Sequence, residues 1–183
     1  MYICVICGEF LCVLVFKFYF LDSFFFLQLK KLNITIYTDG AARGNPGPGG
    51  YGTVLLSGQY RKELSEGFEL TTNNRMELMA VIAGLEALKV ENSKVTIYSD
   101  SKYVVEAVEK GWIWNWVKIR FKGKKNEDLW LRFLKIYPKH QVKLIWIKGH
   151  ANIPENERCD QLAVAASMEP NLKKDVGYLL SLA

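Results

Sequence analysis

The chain has 183 residues, of which 50% are hydrophobic and 23% are charged, and its formal net charge at pH 7 is +5. This balance excludes an intrinsically disordered protein and predicts one globular domain with a sizeable buried core. Three of the four cysteines lie among the first 12 residues, so their spacing indicates no disulfide framework and favours a reducing compartment. We therefore expect a cytoplasmic protein.

The first 31 residues differ in composition from the rest of the chain, being rich in Phe, Leu, Val, Ile and Cys. A secretory signal peptide is disfavoured because the first basic residue is Lys17 and no small-residue cleavage site follows it. Residues 10–29 are long enough to span a membrane. However, the cost of inserting Lys17 and Asp22 is about as large as the gain from the apolar side chains.

A third interpretation is that residues 1–31 are not translated in nature. No methionine occurs between Met1 and Met76, so a non-Met start codon near Leu29 or Leu32 would explain the extension. We favour this interpretation, and a weak membrane anchor is the alternative.

A repeated strand pattern links two aspartates. In residues 34–39, isoleucines alternate with polar residues, and the pattern ends at Asp39 before a glycine- and proline-rich turn. Residues 96–100 nearly repeat this stretch and end at Asp100. Each Asp could simply end its strand as a turn residue. If the two strands pair, however, both carboxylates lie at the sheet edge where open α/β sheets bind ligands.

Three strands and a helix are predicted in the first half of the domain, with the strands at about 32–39, 51–56 and 60–70 and the helix at about 74–89. The polar residues 71–74 are available as helix caps. Glu77 falls on the apolar stripe of this helix, which consists of Leu78, Val81, Ile82, Leu85 and Leu88. An inward carboxylate is costly unless it is paired or holds a metal, although a Glu at the edge of the stripe could also reach solvent.

The second half continues with alternating strands and helices. The predicted elements are a strand at 94–100, a helix at 101–110 capped by Ser101, a helix at 126–137, a strand at 142–147 and a helix beginning near Pro154. Residues 169–183 are expected to be a loosely held terminus.

Residues 110–125 combine positive charge with aromatic side chains. They contain six Lys or Arg and no acidic residue, interleaved with Trp112, Trp114, Trp116 and Phe121. This mixture suits the backbone and bases of a nucleic acid. A solvated basic face whose tryptophans pack into the core would explain part of the same pattern.

Two further candidates lie near the last predicted helix. His150 is one of two histidines in the chain and follows Gly149 in a predicted loop. Asp160 lies at the edge of the apolar face of the helix that follows. A lone histidine is usually structural or exposed, but its position beside a helix that carries a carboxylate makes it a candidate.

Several motifs in register resemble bacterial type 1 ribonuclease H. They are TDG at 38–40, GNPGPGGYG at 44–52, TTNNRMEL at 71–78, SDS at 99–101, KGHA at 148–151 and ENERCD at 155–160. The resemblance covers about residues 32–170. It implies an α/β, ribonuclease-H-like fold: a five-stranded mixed sheet, with three antiparallel and then two parallel strands, flanked by helices.

The resemblance also implies an endoribonuclease that hydrolyses the RNA strand of RNA–DNA hybrids and leaves 5′-phosphate and 3′-hydroxyl ends. Four carboxylates, Asp39, Glu77, Asp100 and Asp160, would repel one another unless divalent cations lie among them. Oxygen ligands select Mg²⁺ or Mn²⁺, and two ions about 3.5–4 Å apart are a known device for phosphodiester hydrolysis. By resemblance, His150 assists proton transfer or product release.

The resemblance assigns hybrid contacts to further residues. Asn45, Asn73 and Asn74 match contacts that include ribose 2′-hydroxyls, and Thr72 matches a DNA-phosphate pocket. Trp112, Trp116 and Trp130 match aromatics around the groove for the DNA strand. Residues 118–125, with Lys122, Lys124 and Lys125, resemble a shortened basic protrusion, so lower hybrid affinity is expected.

Three rival interpretations of the motifs are an integrase or transposase core, a non-catalytic hybrid-binding module and a domain of a reverse transcriptase. The first shares the acidic cluster without the whole motif set, and the second predicts a lost carboxylate, whereas all four are present. We therefore expect an apolar extension at 1–31, a monomeric catalytic domain at 32–170 without an obligate protein partner, and a tail at 171–183.

Overall fold

The computed structural model describes residues 33–182, so the predictions for residues 1–31 lie outside the described part of the chain. The strands are β1 (Asn33–Ala42), β2 (Gly47–Ser57), β3 (Tyr60–Thr71), β4 (Lys94–Ser99) and β5 (Gln141–Trp146). The helices are α1 (Asn73–Glu86), α2 (Lys102–Glu109), α3 (Trp112–Lys118), α4 (Glu127–Ile136), α5 (Pro154–Ala166) and α6 (Val176–Ser181). A short 3₁₀ helix spans Tyr137–Lys139.

The strands form one sheet in the order β3-β2-β1-β4-β5. β1 pairs antiparallel with β2, which pairs antiparallel with β3, whereas β1–β4 and β4–β5 are parallel. The predicted fold class is confirmed. The repeated strand pattern also pairs in register, because Tyr37 lies opposite Tyr98 and Thr38 opposite Ser99.

The predicted end of the first strand is wrong. β1 continues through Asp39 to Ala42, and its last three residues pair with residues 49–51 of β2. The predicted glycine-rich turn is therefore largely strand. The parallel pairing of β1 with β4 stops at Thr38 and Ser99. Asp39 therefore lies just beyond the β1–β4 pairing but still within the antiparallel pairing of β1 with β2.

Helices α1 and α5 pack on opposite faces of the sheet, since successive strand residues point to opposite sides. Gly40 approaches the α1 backbone, whereas Gly52 approaches the α5 backbone. The predicted stripe of α1 is buried in the core at Leu78, Val81, Ile82 and Leu85. Burial of each such side chain stabilises the fold by about 1.5–3 kcal/mol.

The two predicted helix caps differ in outcome. Ser101 precedes α2, and its hydroxyl accepts a hydrogen bond from the Val104 backbone N–H, as predicted. Thr72 occupies the N-cap position of α1 but makes no side-chain cap hydrogen bond. The neighbouring polar side chains bond elsewhere: Thr71 donates to Asp175 and Asn73 donates to Glu77.

The expectation of a loosely held C-terminus is wrong for residues 173–181. Lys173 bridges to Phe68 beside β3, and Asp175 is buried and caps α6 by accepting from the Tyr178 N–H. Arg75 of α1 donates to both carboxylate oxygens of Asp175 at 2.7 Å. A charge-assisted, bidentate pair of this kind fixes the segment to the domain.

Among residues 33–182, none of the helices combines the length and apolar character that a membrane crossing requires.

Candidate active site

The site is organised around the Asp39 carboxylate. It is partly buried, and one of its oxygens accepts the Gly40 N–H at 2.7 Å. Burial and the charge of Asp100 raise the pKa of Asp39 to about 8, against the lowering effect of the Gly40 hydrogen bond. Asp160 and Glu77 add to the increase. The four predicted carboxylates are thus close enough to influence one protonation equilibrium.

A glycine lets Glu77 approach this centre. A Cβ atom at Gly40 would lie 2.2 Å from the Glu77 backbone nitrogen, so any other residue there would push α1 away from β1. Asn73 Nδ2 donates to one Glu77 oxygen at 2.8 Å and Ser101 Oγ donates to the other. Burial raises the pKa of Glu77, and these two hydrogen bonds oppose the change.

A second glycine has the same role for Asp160. Gly52 lies opposite Asp39 in the β1–β2 ladder. A Cβ atom at Gly52 would lie 2.1 Å from the carbonyl oxygen of Cys159, the residue before Asp160. The close contact between β2 and α5 therefore brings Asp160 to the Asp39 side of the sheet.

Asp100 is positioned by residues that the sequence patterns did not single out. Asn156 of α5 is buried, and its Nδ2 donates to Asp100 Oδ2 at 3.3 Å. Trp146 of β5 donates its indole N–H to the Asp100 carbonyl oxygen at 3.0 Å. Both partners are distant from Asp100 in sequence, and the ENERCD motif, which contains Asn156, is the signal that could have indicated one of them.

His150 is exposed and lies near a carboxylate that was not among the predicted site residues. Its Nδ1 is 3.7 Å from Glu157 Oε2, which is an ion-pair distance and too long for a hydrogen bond. The backbone φ of His150 is 50°, in the left-handed region. One ligand atom from each of His150, Glu157 and Asp160 falls within a mutual distance of 4.8 Å.

The donor chemistry of this centre fits a hard divalent cation. Burial is the main cause of the raised pKa of Asp39, and the negative charges of Asp100, Asp160 and Glu77 add to it. Oxygen-rich ligand sets favour Mg²⁺ or Mn²⁺. Asp39, Glu77, Asp100 and Asp160 are the residues that would hold such an ion.

A groove of about 1120 Å³ brings most of the predicted nucleic-acid contacts together. The predicted residues that line it are Asn45, Thr72, Asn74, Trp112, Trp116, Lys124 and Lys125. Lys124 Nζ lies 5.4 Å above the Trp116 ring, a cation–π geometry. Residues of α4 and α6 complete the lining, and sequence patterns did not predict them.

Three predicted contacts do not line the groove. Lys122 lies outside the lining residues, and Asn73 is engaged with Glu77. Trp130 is completely buried, so it cannot touch a nucleic acid directly in this structure, and the prediction of direct contact needs correction. Its Nε1 donates to Tyr103 Oη at 2.8 Å and its ring packs edge-on against Trp116 at 5.6 Å. Trp130 therefore supports the groove from below.

The comparison with protein families decides which family this fold belongs to, because the RNase H family model matches residues 31–168. The chain belongs to the ribonuclease H family. The resemblance drawn from the motifs is confirmed.

Known relatives agree with this family membership. A Ribonuclease H from Desulforamulus reducens is 60% identical over 148 residues, which cover 78% of this chain and 92% of the relative. Among solved structures, LC9-RNase H1, a type 1 RNase H, matches with a TM-score of 0.69 and 28% identity, over 76% of this chain and 74% of that one. LC11-RNase H1 in complex with an RNA/DNA hybrid matches with a TM-score of 0.52 and 27% identity, over 73% and 95% of the two chains.

Proposed function

We propose that this ribonuclease H family member is an endoribonuclease that hydrolyses the RNA strand of RNA–DNA hybrids with two Mg²⁺ ions and leaves 5′-phosphate and 3′-hydroxyl ends. The observation that carries the proposal is the position of Asp39 where its pairing with β4 ends, beside Glu77, Asp100 and Asp160, whose charges each add to the burial-driven rise in its pKa. The solved relative that holds an RNA/DNA hybrid supports the substrate class.

The bound ions would supply positive charge that activates water and stabilises the departing oxygen. The chain itself supplies rigid anionic ligands. Ser101 and Asn73 orient the two oxygens of Glu77, and Asn156 orients one oxygen of Asp100. Such fixed hydrogen bonds hold ligand oxygens in place before substrate arrives, which lowers the reorganisation needed during reaction.

His150 is proposed to move a proton at the edge of this centre. Its imidazole is exposed, so it can exchange protons with solvent, and Glu157 lies within ion-pair distance of Nδ1. Histidine is the side chain that enzymes use most often for proton transfer. Its place in an exposed loop supports product release as an additional role.

The groove is proposed to bind the hybrid. Lys124 and Lys125 provide charge for phosphates, and Trp112 and Trp116 provide aromatic faces. Asn45, Asn73, Asn74 and Thr72 supply amide and hydroxyl groups near the site, of which Asn73 is already bonded to Glu77. The cytoplasmic location and the monomeric state also stay predictions.

The decisive assay uses a hybrid whose RNA strand carries a 5′ label, with and without Mg²⁺. We expect RNA fragments only with the metal, and a 3′-hydroxyl end would let a template-independent polymerase extend them. Asp39→Asn and Asp100→Asn should each abolish cleavage while leaving the circular dichroism spectrum unchanged, since each removes an anionic ligand.

Glu91→Gln is the matched control because it neutralises an exposed carboxylate that pairs with Lys139 away from the site. It should keep parental turnover. Near-normal turnover of either aspartate variant in Mg²⁺ would overturn the site assignment. Cleavage of the DNA strand, or of single-stranded RNA with equal efficiency, would overturn the proposed substrate.

A further inference from the structure

The C-terminal helix α6 lines the same groove as the proposed hybrid contacts. Tyr178, Leu180, Ser181 and Leu182 are among the lining residues, together with Trp112, Trp116, Lys124 and Lys125. Leu180 is 71% exposed and Leu182 is 61% exposed. These two leucines give the lining an apolar surface that other residues in 33–182 leave largely uncovered.

The helix is held rigidly enough to serve as a wall. Asp175, at its start, accepts hydrogen bonds from Arg75, Thr71 and the Tyr178 N–H. Arg75 also forms a bidentate pair with Asp128 of α4, at 2.8 and 2.7 Å. A Cβ atom at Gly177 would lie 1.8 Å from Asp128 Oδ2, so α6 packs directly against α4.

Charges of both signs line the groove beside these ion pairs. Asp128 and Glu127 both line it, and two uncompensated carboxylates would repel phosphates. Arg75 pairs with both Asp128 and Asp175, so its single positive charge is shared between two carboxylates. It lowers the pKa of Asp128 although burial acts in the opposite direction. Lys124 and Lys125 place two positive charges in the lining, which balance the charges of Glu127 and Asp128.

The side chains of Leu180 in α6 and of Leu182 just after it would interact differently with the two strands of a hybrid. Leu180 and Leu182 offer neither a hydrogen-bond donor nor an acceptor. A ribose 2′-hydroxyl pressed against them would lose its water without gaining a partner, and such a loss is unfavourable. A deoxyribose has no such group and presents an apolar face at that position.

We propose that Leu180 of α6 and Leu182, which follows the helix, form an apolar wall that contacts the sugar faces of the DNA strand and favours deoxyribose over ribose there. This inference rests on the proposed function, because it assumes that a hybrid occupies the groove. It assigns a binding and selectivity role to Leu180 and Leu182.

The test measures binding by fluorescence anisotropy in an Asp39→Asn background, which prevents cleavage. The probes are an RNA–DNA hybrid and an RNA–RNA duplex of the same sequence. The double variant Leu180→Ser/Leu182→Ser should bind the hybrid about five- to tenfold more weakly, because two apolar contacts are lost. The ratio of hybrid to RNA-duplex affinity should fall, and the salt dependence of hybrid binding should stay the same because no charge changes.

Val176→Ser is the matched control. Val176 belongs to α6 and is 61% exposed, as Leu182 is, but it does not line the groove. It should leave both affinities unchanged, and thermal melting of all variants checks that α6 remains docked. Hybrid affinity and selectivity of the double variant equal to those of Val176→Ser would overturn the inference.

Binding and cleavage of the hybrid by the parental protein distinguish a failure of this inference from a failure of the proposed function. If the parent with Asp39 intact neither binds nor cleaves the hybrid, the proposed function fails. If the parent binds and cleaves while the double leucine variant is unaffected, only the role of α6 fails.

Discussion

At the scale of single residues, the environment of Asp39 favours the protonated carboxyl group. Its pKa of about 8 in the metal-free protein exceeds the ordinary value of 3.8. Between these values the folded state binds more protons at this residue than the unfolded state does. The free energy of unfolding must therefore fall as pH rises through this window, and the stabilisation is fully present only below about pH 4.

We predict that the metal-free protein becomes less stable from pH 5 to pH 9, by an amount on the order of a few kcal/mol, and that Asp39→Asn removes most of this loss. Urea unfolding at both pH values in the presence of EDTA measures it. Glu77, whose pKa is also raised, should leave a smaller residual slope. Adding Mg²⁺ should restore stability at pH 9 in the parent and less so in the variant. An identical pH dependence in both proteins would contradict the electrostatic description of the site.

His150 is exposed, and the contact of its ring with Glu157 within residues 33–182 is at ion-pair distance, so its removal should affect rate and not structure. We predict that His150→Ala slows turnover by about 10²–10⁴-fold without abolishing it, which is the usual contribution of a proton-transfer group. Single-turnover cleavage in Mg²⁺ measures the effect, and the melting temperature serves as the control. Complete loss of cleavage with normal metal binding would instead make His150 essential to the assembly of the site.

At the scale of structural elements, the turns after α3 separate the three predicted lysines. Phe121 is buried and has a positive φ, as Arg120 does, and this anchors the segment. Lys124 and Lys125 then line the groove whereas Lys122 does not. The basic segment is therefore a set of fixed turns with one face toward the proposed substrate.

We predict that Lys124→Gln and Lys125→Gln each weaken hybrid binding and reduce the slope of log K against log salt by about 0.7–0.9. Lys122→Gln is the matched control, since it removes the same charge from the same segment outside the groove, and it should change the slope less. Anisotropy titrations from low to moderate salt provide the slopes. Equal slopes for all three variants and the parent would mean that the segment is only a solvated basic face.

The junction of α1, α4 and α6 depends on one buried guanidinium. The Arg75 side chain is 1% exposed and pairs with Asp175, which is 3% exposed, and with Asp128, which is 42% exposed. We predict that Asp175→Asn lowers the free energy of unfolding by about 3 kcal/mol, because it breaks a buried pair. Asp128→Asn should cost about 1 kcal/mol or less, as exposed pairs do. Urea denaturation compares the two, and equal losses would contradict the buried character of the Arg75–Asp175 pair.

At the scale of the whole molecule, the sequence predicts those structural features that depend on neighbouring residues or on a repeated pattern. The alternation of apolar and polar residues before Asp39 and Asp100 predicted two paired strands. Ser101 was predicted to cap the helix that follows it, and it caps α2. The end of β1 was missed because Asp39 resembles a strand terminus while β2 continues the pairing beyond it. Helix α3 was missed because its tryptophans at every second position hide the helical period, and only Ile113 is buried.

The supporting residues of the site could not be predicted in this way. Asn156 and Trp146 act on Asp100 from distant parts of the chain. Arg75 and Asp175 are 100 positions apart, so neither residue alone indicates a partner. Such contacts form only when distant parts of the chain pack together, so the residues next to each partner do not indicate them.

The family match begins at residue 31 and β1 begins at Asn33. We predict that a protein starting at Leu29 folds and cleaves hybrids as well as the full chain, because the family motifs and all proposed site residues follow that point. Thermal melting and hybrid cleavage of the two proteins test this. Intact-mass measurement on protein from its native source then tests whether residues 1–31 are made. A mass that includes them, with the protein in the membrane fraction, would contradict the missed-start interpretation and favour an anchor.

The long separation between Arg75 and Asp175 has a consequence for the order of assembly on the ribosome. All four proposed metal ligands have been synthesised once Asp160 is added, but the wall of the groove must wait for residues 175–182. A nascent chain could therefore complete its acidic centre before Arg75 has received its buried partner and before α6 has closed the groove. Binding of a hybrid along that wall would be the last property that the growing domain acquires.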